Sequence, residues 1–117
     1  MLVKHSAIKP IDFGGLQIYD YTAGQKFSAS LATIQVPPGA RHPRAWSKRS
    51  DKYYYAIAGE IRFKVNGETF DLMAGDLCII RQGEHFEYEN VTEEFATLLL
   101  VHTPDFDLAS EVFVEGK

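Results

Sequence analysis

The fold is decided by the stretch Ile61-Arg62-Phe63-Lys64-Val65-Asn66-Gly67-Glu68-Thr69-Phe70. From Ile61 to Val65, apolar and basic side chains alternate with a period of two, which is typical of a strand with one buried face. Asn66-Gly67 favours the two positive φ angles of a tight type I′ turn. The stretch therefore predicts two antiparallel strands joined by a two-residue turn.

Similar short segments, rich in β-branched and aromatic residues, continue on both sides of this hairpin. Gly59, Gly67, Gly75 and Gly83 punctuate the chain at steps of eight residues. Short strands at such a spacing are typical of an all-β sandwich or barrel. One helical turn is predicted, at Asp107–Val112. The predicted strands are Leu16–Tyr21, Ser28–Val36, Tyr53–Ala58, Glu60–Val65, Glu68–Leu72, Leu77–Ile80, His85–Asn90 and Ala96–His102.

Length and charge limit the possible functions. The 117 residues predict one domain spanning 1–117, and a formal charge of −4 gives no attraction for nucleic acid or for an anionic membrane. The segment Arg41–Lys52 nevertheless contains five basic side chains and one acidic one, a local charge of +4. This basic segment indicates either a site for a small anionic ligand or a solvated, charged loop.

The N-terminus and the cysteine content indicate the compartment. The first residues lack the apolar core of a signal peptide, and no apolar stretch is long enough to span a membrane. The single cysteine, Cys78, lies in an apolar run, which is typical of a small buried side chain and not of a nucleophile. A cytoplasmic protein is predicted.

Two segments resemble the conserved motifs of the cupin superfamily. Residues 37–60 are similar to the first motif, with Pro37-Pro38-Gly39-Ala40 at its opening turn and Gly59-Glu60 at its close. Residues 75–90 are similar to the second motif, through Gly75-Asp76, Gly83 and Asn90. The resemblance implies an all-β, double-stranded β-helix or jelly-roll barrel in a single cupin domain.

The positions that bind a metal in cupins hold other residues here. The family places two histidines and a glutamate in the first motif and a histidine in the second. Counting back from Gly59 puts Trp46, Lys48 and Lys52 at the first three positions, and Phe86 stands at the fourth. None of these side chains is a ligand for a divalent metal. The resemblance therefore implies a cupin with no metal and no other cofactor.

The same register predicts what lines the barrel interior. Lys52, Tyr54, Ala56 and Ala58 should share one strand face, and Phe86, Tyr88 and Asn90 another. Each aromatic residue is interpreted either as a site residue or as part of the core. His5, His85 and His102 are not predicted to belong to the site. The candidate catalytic residues are His42, Tyr54 and Tyr88, and the candidate substrate-binding residues are Lys48, Lys52, Trp46, Phe86 and Arg44.

Some small cupins that lack the metal dehydrate or isomerise sugar-like or nucleoside substrates, and this chain resembles them. The resemblance implies a lyase or isomerase for a small polar substrate, which the basic segment predicts to be anionic. His42 would be the acid or base, the tyrosines would donate hydrogen bonds, and the lysines would hold the anion. The alternatives are a ligand-binding sensor without chemistry and a degenerate barrel filled by its own aromatic side chains. A homodimer is also predicted, with Leu2–Ile8 and Phe113-Val114 as segments that would cover sheet edges.

Overall fold

Two antiparallel sheets make up most of the computed structural model, which describes residues 1–114. The first sheet has the strand order β1 (Ile11–Phe13), β2 (Leu16–Asp20), β3 (Ser30–Val36), β10 (Ala96–Thr103), β5 (Asp51–Ala58) and β8 (Leu77–Ile80). The second has the order β11 (Glu111–Phe113), β4 (Arg41–Ser47), β9 (Phe86–Glu89), β6 (Glu60–Val65) and β7 (Glu68–Met73). Two 3-10 helices lie at His5–Ala7 and Leu108–Ser110. The inner faces of both sheets supply the core, and the predicted jelly-roll barrel is confirmed.

The hairpin that predicts the fold is present as β6 and β7. Val65 pairs with Glu68, and the intervening Asn66 and Gly67 have φ angles of 50° and 85°. Both angles are positive, as a type I′ turn requires. Ile61 and Phe63 are fully buried, so the alternating pattern does place its apolar side chains in the core.

All eight predicted strands are present, with ends that agree within two residues. Three further strands, β1, β4 and β11, were not predicted. The residues of β4 were interpreted as a loop because their charges and Pro43 hide the period of two. A bulge between His42 and Ala45 shifts the register, so both side chains face inward although they are three residues apart. The predicted helical turn is correct for Leu108–Ser110 and wrong for Glu111 and Val112, which belong to β11.

The chain itself covers one sheet edge that was expected to need a partner. β11 pairs with the edge of β4, from Glu111 opposite Ser47 to Phe113 opposite Ala45. The ring of His5, in the N-terminal segment, packs against Tyr19 of β2 at 4.5 Å between centroids. In residues 1–114 no helix is long and apolar enough to cross a membrane.

Gly59 forms the turn between β5 and β6, and we expect Gly59→Ala to be strongly destabilising. Its φ is +80°, and a Cβ there would lie 2.8 Å from Ala96 Cα and from the Phe95 carbonyl oxygen. Gly67→Ala is the matched control, because φ is +85° but no atom lies within 4 Å. The positive φ alone should cost about 1–2 kcal/mol in each variant. The clash should add about 1–3 kcal/mol to Gly59→Ala only. Urea unfolding measures both, and equal losses would contradict the close contact.

Candidate functional site

A cavity of about 350 Å³ opens between the two sheets at one end of the barrel. Both sheets contribute to its walls, which are largely apolar with a few polar groups. This composition is that of a small-molecule site. The lining residues are Ile11, Phe13, Ile18, Asp20, Ser30, Leu31, Ala32, Ile34, His42, Tyr54, Tyr88, Leu100, His102, Phe106, Leu108, Glu111 and Phe113.

His42 lines this cavity and has one unprotonated ring nitrogen. Its Nδ1 lies 2.7 Å from the carbonyl oxygen of Pro43, which can only accept, so Nδ1 carries the proton and donates it. The other nitrogen, Nε2, keeps its lone pair. The ring packs against Phe86 and Tyr88, at 4.9 and 5.2 Å between centroids. Burial lowers the pKa of His42 to about 4, so the imidazole is neutral at pH 7.

Tyr54 and Tyr88 line the cavity beside His42 and also belong to the core. Their rings meet edge to face at 5.5 Å, and burial raises the pKa of both phenols well above the usual value. The two hydroxyls are near enough to influence each other's pKa. Within residues 1–114, however, no atom lies in hydrogen-bonding geometry with the buried Tyr88 hydroxyl. Both groups are therefore protonated donors at neutral pH, and Tyr88 retains unused hydrogen-bonding capacity.

Lys52 is placed differently from the prediction. It faces inward but is only 3% exposed and does not line the cavity. Its Nζ donates to Glu111 Oε1 at 2.7 Å and to His102 Nε2 at 2.8 Å. Burial lowers the pKa of Lys52, and the neighbouring carboxylate of Glu111 opposes that shift. The lysine charge is thus already matched inside the protein.

The remaining predicted binding residues lie outside the cavity. Lys48 and Arg44 are exposed, so the basic segment is mostly a solvated surface. Trp46 points outward from β4 and stacks on His85 at 5.7 Å. Phe86 is inside but packs behind His42 in the core. The bulge in β4 explains part of this error, because a shifted register turns Trp46 to the outer face.

Several polar residues of the cavity were missed by sequence reasoning. His102 and Glu111 are the most notable, together with Asp20 and Ser30. A signal for His102 was available, since it continues the inward alternation of Leu98 and Leu100 along β10. Glu111 carried no such signal, because its strand was interpreted as a helical turn.

The four positions that hold a metal in cupins do not form a ligand set here. Phe86 is packed in the core, Lys52 is engaged with Glu111, and Trp46 and Lys48 lie on the outside. Nowhere in the described chain do three or more His, Cys, Asp or Glu side chains cluster in a way that would hold a metal ion. The residues present therefore do not fit a divalent metal at this locus.

The two buried histidines should make the free energy of unfolding depend on pH. In the folded protein, burial lowers the pKa of His42 to about 4 and of His102 to about 3, against an ordinary value of 6.5. At a pH between the folded-state pKa and 6.5, each histidine binds a proton in the unfolded chain but not in the folded protein. The free energy of unfolding therefore falls as the pH is lowered below 6.5. At pH 5 each of the two histidines should have lowered the free energy of unfolding by up to about 2 kcal/mol.

Urea unfolding at pH 7 and pH 5 measures this loss. The variant His42→Gln should remove about half of the histidine contribution. An unchanged pH dependence in that variant would show that His42 is not held neutral by the fold.

Comparison with known proteins agrees with this architecture. The solved structure of Pac13, described as a unique nucleoside dehydratase, has a TM-score of 0.86 at 22% identity, covering 98% of this chain and 91% of that one. Related structures of the Streptomyces protein carry one histidine-to-glutamine or one of two tyrosine-to-phenylalanine substitutions, each with uridine. KdgF from Halomonas sp. has a TM-score of 0.80 at 14% identity, covering 93% of this chain and 97% of that one.

A curated relative comes from a different setting. The inner kinetochore subunit cnp3 of Schizosaccharomyces pombe is 26% identical over 78 residues, which is 67% of this chain but only 12% of that protein. The family model for the cupin domain matches residues 32–102, more than half of the chain. With two sheets in a jelly roll and that match, the chain belongs to the cupin family.

Proposed function

We propose that this cupin is a metal-independent lyase of the dehydratase type, or an isomerase, that acts on a small polar, sugar-like molecule in the 350 Å³ cavity. One observation carries the proposal, namely that His42 lines the cavity while its Nδ1 donates to Pro43, which leaves Nε2 with a free lone pair. A neutral imidazole with one free lone pair is a general base. The two protonated tyrosine hydroxyls beside it are hydrogen-bond donors for a developing oxyanion.

These groups suffice for an elimination. His42 Nε2 takes a proton from a carbon next to a carbonyl, and the electron pair of the broken C–H bond forms an enolate. Tyr54 and Tyr88 stabilise the enolate oxygen by hydrogen bonds. The hydroxyl on the neighbouring carbon then leaves with the proton returned by the imidazolium, so that one water is released and a C=C bond remains. Return of the proton to a different carbon gives isomerisation instead.

A nucleoside is the first substrate class to test. The similar protein Pac13 is described as a nucleoside dehydratase, and its variants with uridine replace a histidine or a tyrosine. A histidine and two tyrosines are the residue types that meet at this cavity. This support comes from a protein of 22% identity, so the substrate class is a proposal about this chain.

The charges at the cavity favour a neutral ligand over the anionic one expected from the basic segment. The positive charge of Lys52 is matched by Glu111, and Lys48 is exposed elsewhere. A further carboxylate, that of Asp20, also lines the cavity. Like charges repel, so a phosphate or carboxylate would be disfavoured there. A neutral polyol or nucleoside fits these surroundings better.

Mass spectrometry provides the direct test of the reaction. Metal-free protein would be incubated with nucleosides and sugars that carry a carbonyl next to a C–H bond, and the products examined for loss of one water or for an isomer. Turnover by the wild type, lost in His42→Gln and kept in His85→Gln, would support the proposal. Binding without turnover for every compound would favour the ligand-binding alternative, which the match to a kinetochore protein keeps open. The open cavity argues against the third alternative, a filled barrel.

We also propose a homodimer, through the outer face of the six-stranded sheet. Apolar side chains are usual on the inner face of an antiparallel sheet, and polar ones on the outer face. Here two rows of side chains, which run across neighbouring strands on the outer face, are almost entirely apolar. An apolar patch of this kind marks an interaction surface. Light scattering tests this, and a monomer mass at high concentration would rule it out. The first row contains Ile79, Tyr53, Val101 and Leu31, and the second contains Leu77, Tyr55, Leu99 and Thr33.

A cytoplasmic location stays a prediction.

A further inference from the structure

His102 is held in one tautomer by a neighbour outside the cavity. Its Nε2 lies 2.8 Å from Lys52 Nζ, and an ammonium group can only donate. Nε2 must therefore accept, and the proton of the neutral ring sits on Nδ1. The ring is oriented by Phe106, which meets it edge-on at 5.1 Å. Within residues 1–114 no hydrogen bond to Nδ1 is present, and His102 is one of the residues that line the cavity.

The two histidines of the cavity are consequently complementary. Both carry their proton on Nδ1, but they use different nitrogens for their contacts within the protein. His42 donates its N–H to the Pro43 carbonyl, which leaves the lone pair of Nε2 free at the cavity that it lines. His102 accepts from Lys52 at Nε2, which leaves its N–H free at the same cavity. The first is therefore an acceptor and base, and the second a donor.

An acceptor accompanies the donor at this second position. Glu111 also bonds to Lys52 through Oε1, so this atom and His102 Nε2 cannot be more than 5.5 Å apart. The other oxygen, Oε2, is buried and within the described chain has no hydrogen-bond partner. A buried carboxylate oxygen without a donor is costly, which indicates that a ligand or water supplies one.

We propose that His102 and Glu111 form a second polar subsite, fixed by Lys52, that binds a neutral group carrying one acceptor oxygen and one N–H or O–H donor. An alcohol and a secondary amide edge both have this chemistry. This inference rests on the function proposed above and names the part of the substrate that lies away from His42. Lys52 is a positioning residue in it, and His102 and Glu111 are contact residues.

The charged groups around the subsite support a neutral partner. Lys52 from β5 and Glu111 from β11 offset each other, and Asp20 from β2 lines the same cavity. Burial and the charge of Lys52 lower the pKa of His102 to about 3, so the ring donates without carrying a charge at neutral pH. An anionic group would face the carboxylate of Asp20.

The first experiment needs only the wild-type protein. Nitrogen-15 NMR of the histidine rings at pH 7 should show His102 neutral, with its proton on Nδ1 and an unprotonated Nε2. A protonated ring, or a proton on Nε2, would overturn the proposal whether or not any ligand is found. In Lys52→Met, the His102 pKa should rise and the single tautomer should be lost.

The second experiment uses uridine as the probe and calorimetry as the readout. His102→Phe keeps an aromatic ring but removes the donor, and it should weaken uridine binding by at least about tenfold. His85→Phe, on the exposed outer surface, is the matched control and should bind like the wild type. The loss of affinity in His102→Phe should disappear with one of three analogues, and that analogue identifies the bound group. Two of them, 2′-deoxyuridine and 3′-deoxyuridine, lack one ribose hydroxyl, and the methyl group of 3-methyluridine would keep the amide edge out of the subsite.

The outcomes separate this inference from the proposed function. If uridine fails to bind the wild type, the nucleoside proposal fails, while the NMR result still decides the state of His102. If uridine binds and His102→Phe binds it equally well, or if the penalty persists with all three analogues, the second subsite is wrong and the proposed function is unaffected.

Discussion

Replacing His42 by glutamine should lower turnover of the substrate by about 10²–10⁴-fold, the usual contribution of a general base. The glutamine amide can still donate to the Pro43 carbonyl, which His42 Nδ1 contacts at 2.7 Å. It has no lone-pair nitrogen with which to take a proton from carbon. Binding should change little, because Tyr54, Tyr88 and the apolar walls remain.

The control variant is His85→Gln, which changes an exposed histidine stacked on Trp46 outside the cavity. Its turnover should equal that of the wild type. The acid limb of kcat/KM in the wild type should lie near pH 4, since this profile reports the free enzyme and burial lowers the His42 pKa to about 4. Turnover in His42→Gln within a few-fold of the wild type would remove His42 from the mechanism.

Replacing Lys52 by methionine should destabilise the fold by about 3–5 kcal/mol, the cost of leaving one partner of a buried ion pair alone. Both side chains of the Lys52–Glu111 pair are 4% exposed, so bulk water would solvate the remaining carboxylate only poorly. A loss of this size is a large part of the total stability of a small domain, and the variant is expected to unfold at low urea concentration.

Two further variants show whether the pair is the cause. Lys52→Met combined with Glu111→Leu removes both charges and should recover most of the lost stability, because apolar replacements of buried pairs are often tolerated. Lys48→Met removes an exposed lysine and should change stability by less than about 0.5 kcal/mol. If the double variant is no more stable than Lys52→Met alone, the ion pair does not explain the loss.

The sequence was a good guide to the fold wherever alternation was unbroken. The hairpin Ile61–Phe70 and the strand Ala96–His102 have a clear period of two, and both are present within one or two residues of the predicted bounds. The apolar side chains of the alternating pattern also face inward. β4 was missed because its bulge breaks the period exactly where a loop had been inferred. β11 is only three residues long and depends on pairing with β4, which lies far away in sequence.

The candidate site was predicted in part for the same reason. The structure brings His42, Tyr54 and Tyr88 together at one cavity. Strand parity indicated the two tyrosines, whereas His42 was chosen as a titratable residue in a predicted loop, and the role of all three stays a prediction. The predicted lysines were assigned by their charge, and a sequence does not show whether a charge is already paired. Lys52 is neutralised by Glu111, whose position follows from the pairing of β11 with β4 and from no local pattern.

The measurement that tests the central claim most directly is calorimetric titration of uridine into protein dialysed against a chelator. The claim is that this cavity binds a neutral, nucleoside-like molecule through its own side chains, without a metal. The predicted result is one binding site per chain, with an affinity that is the same before and after chelation and changes little between low and high salt. Binding that appears only after zinc, iron or manganese is added would contradict it.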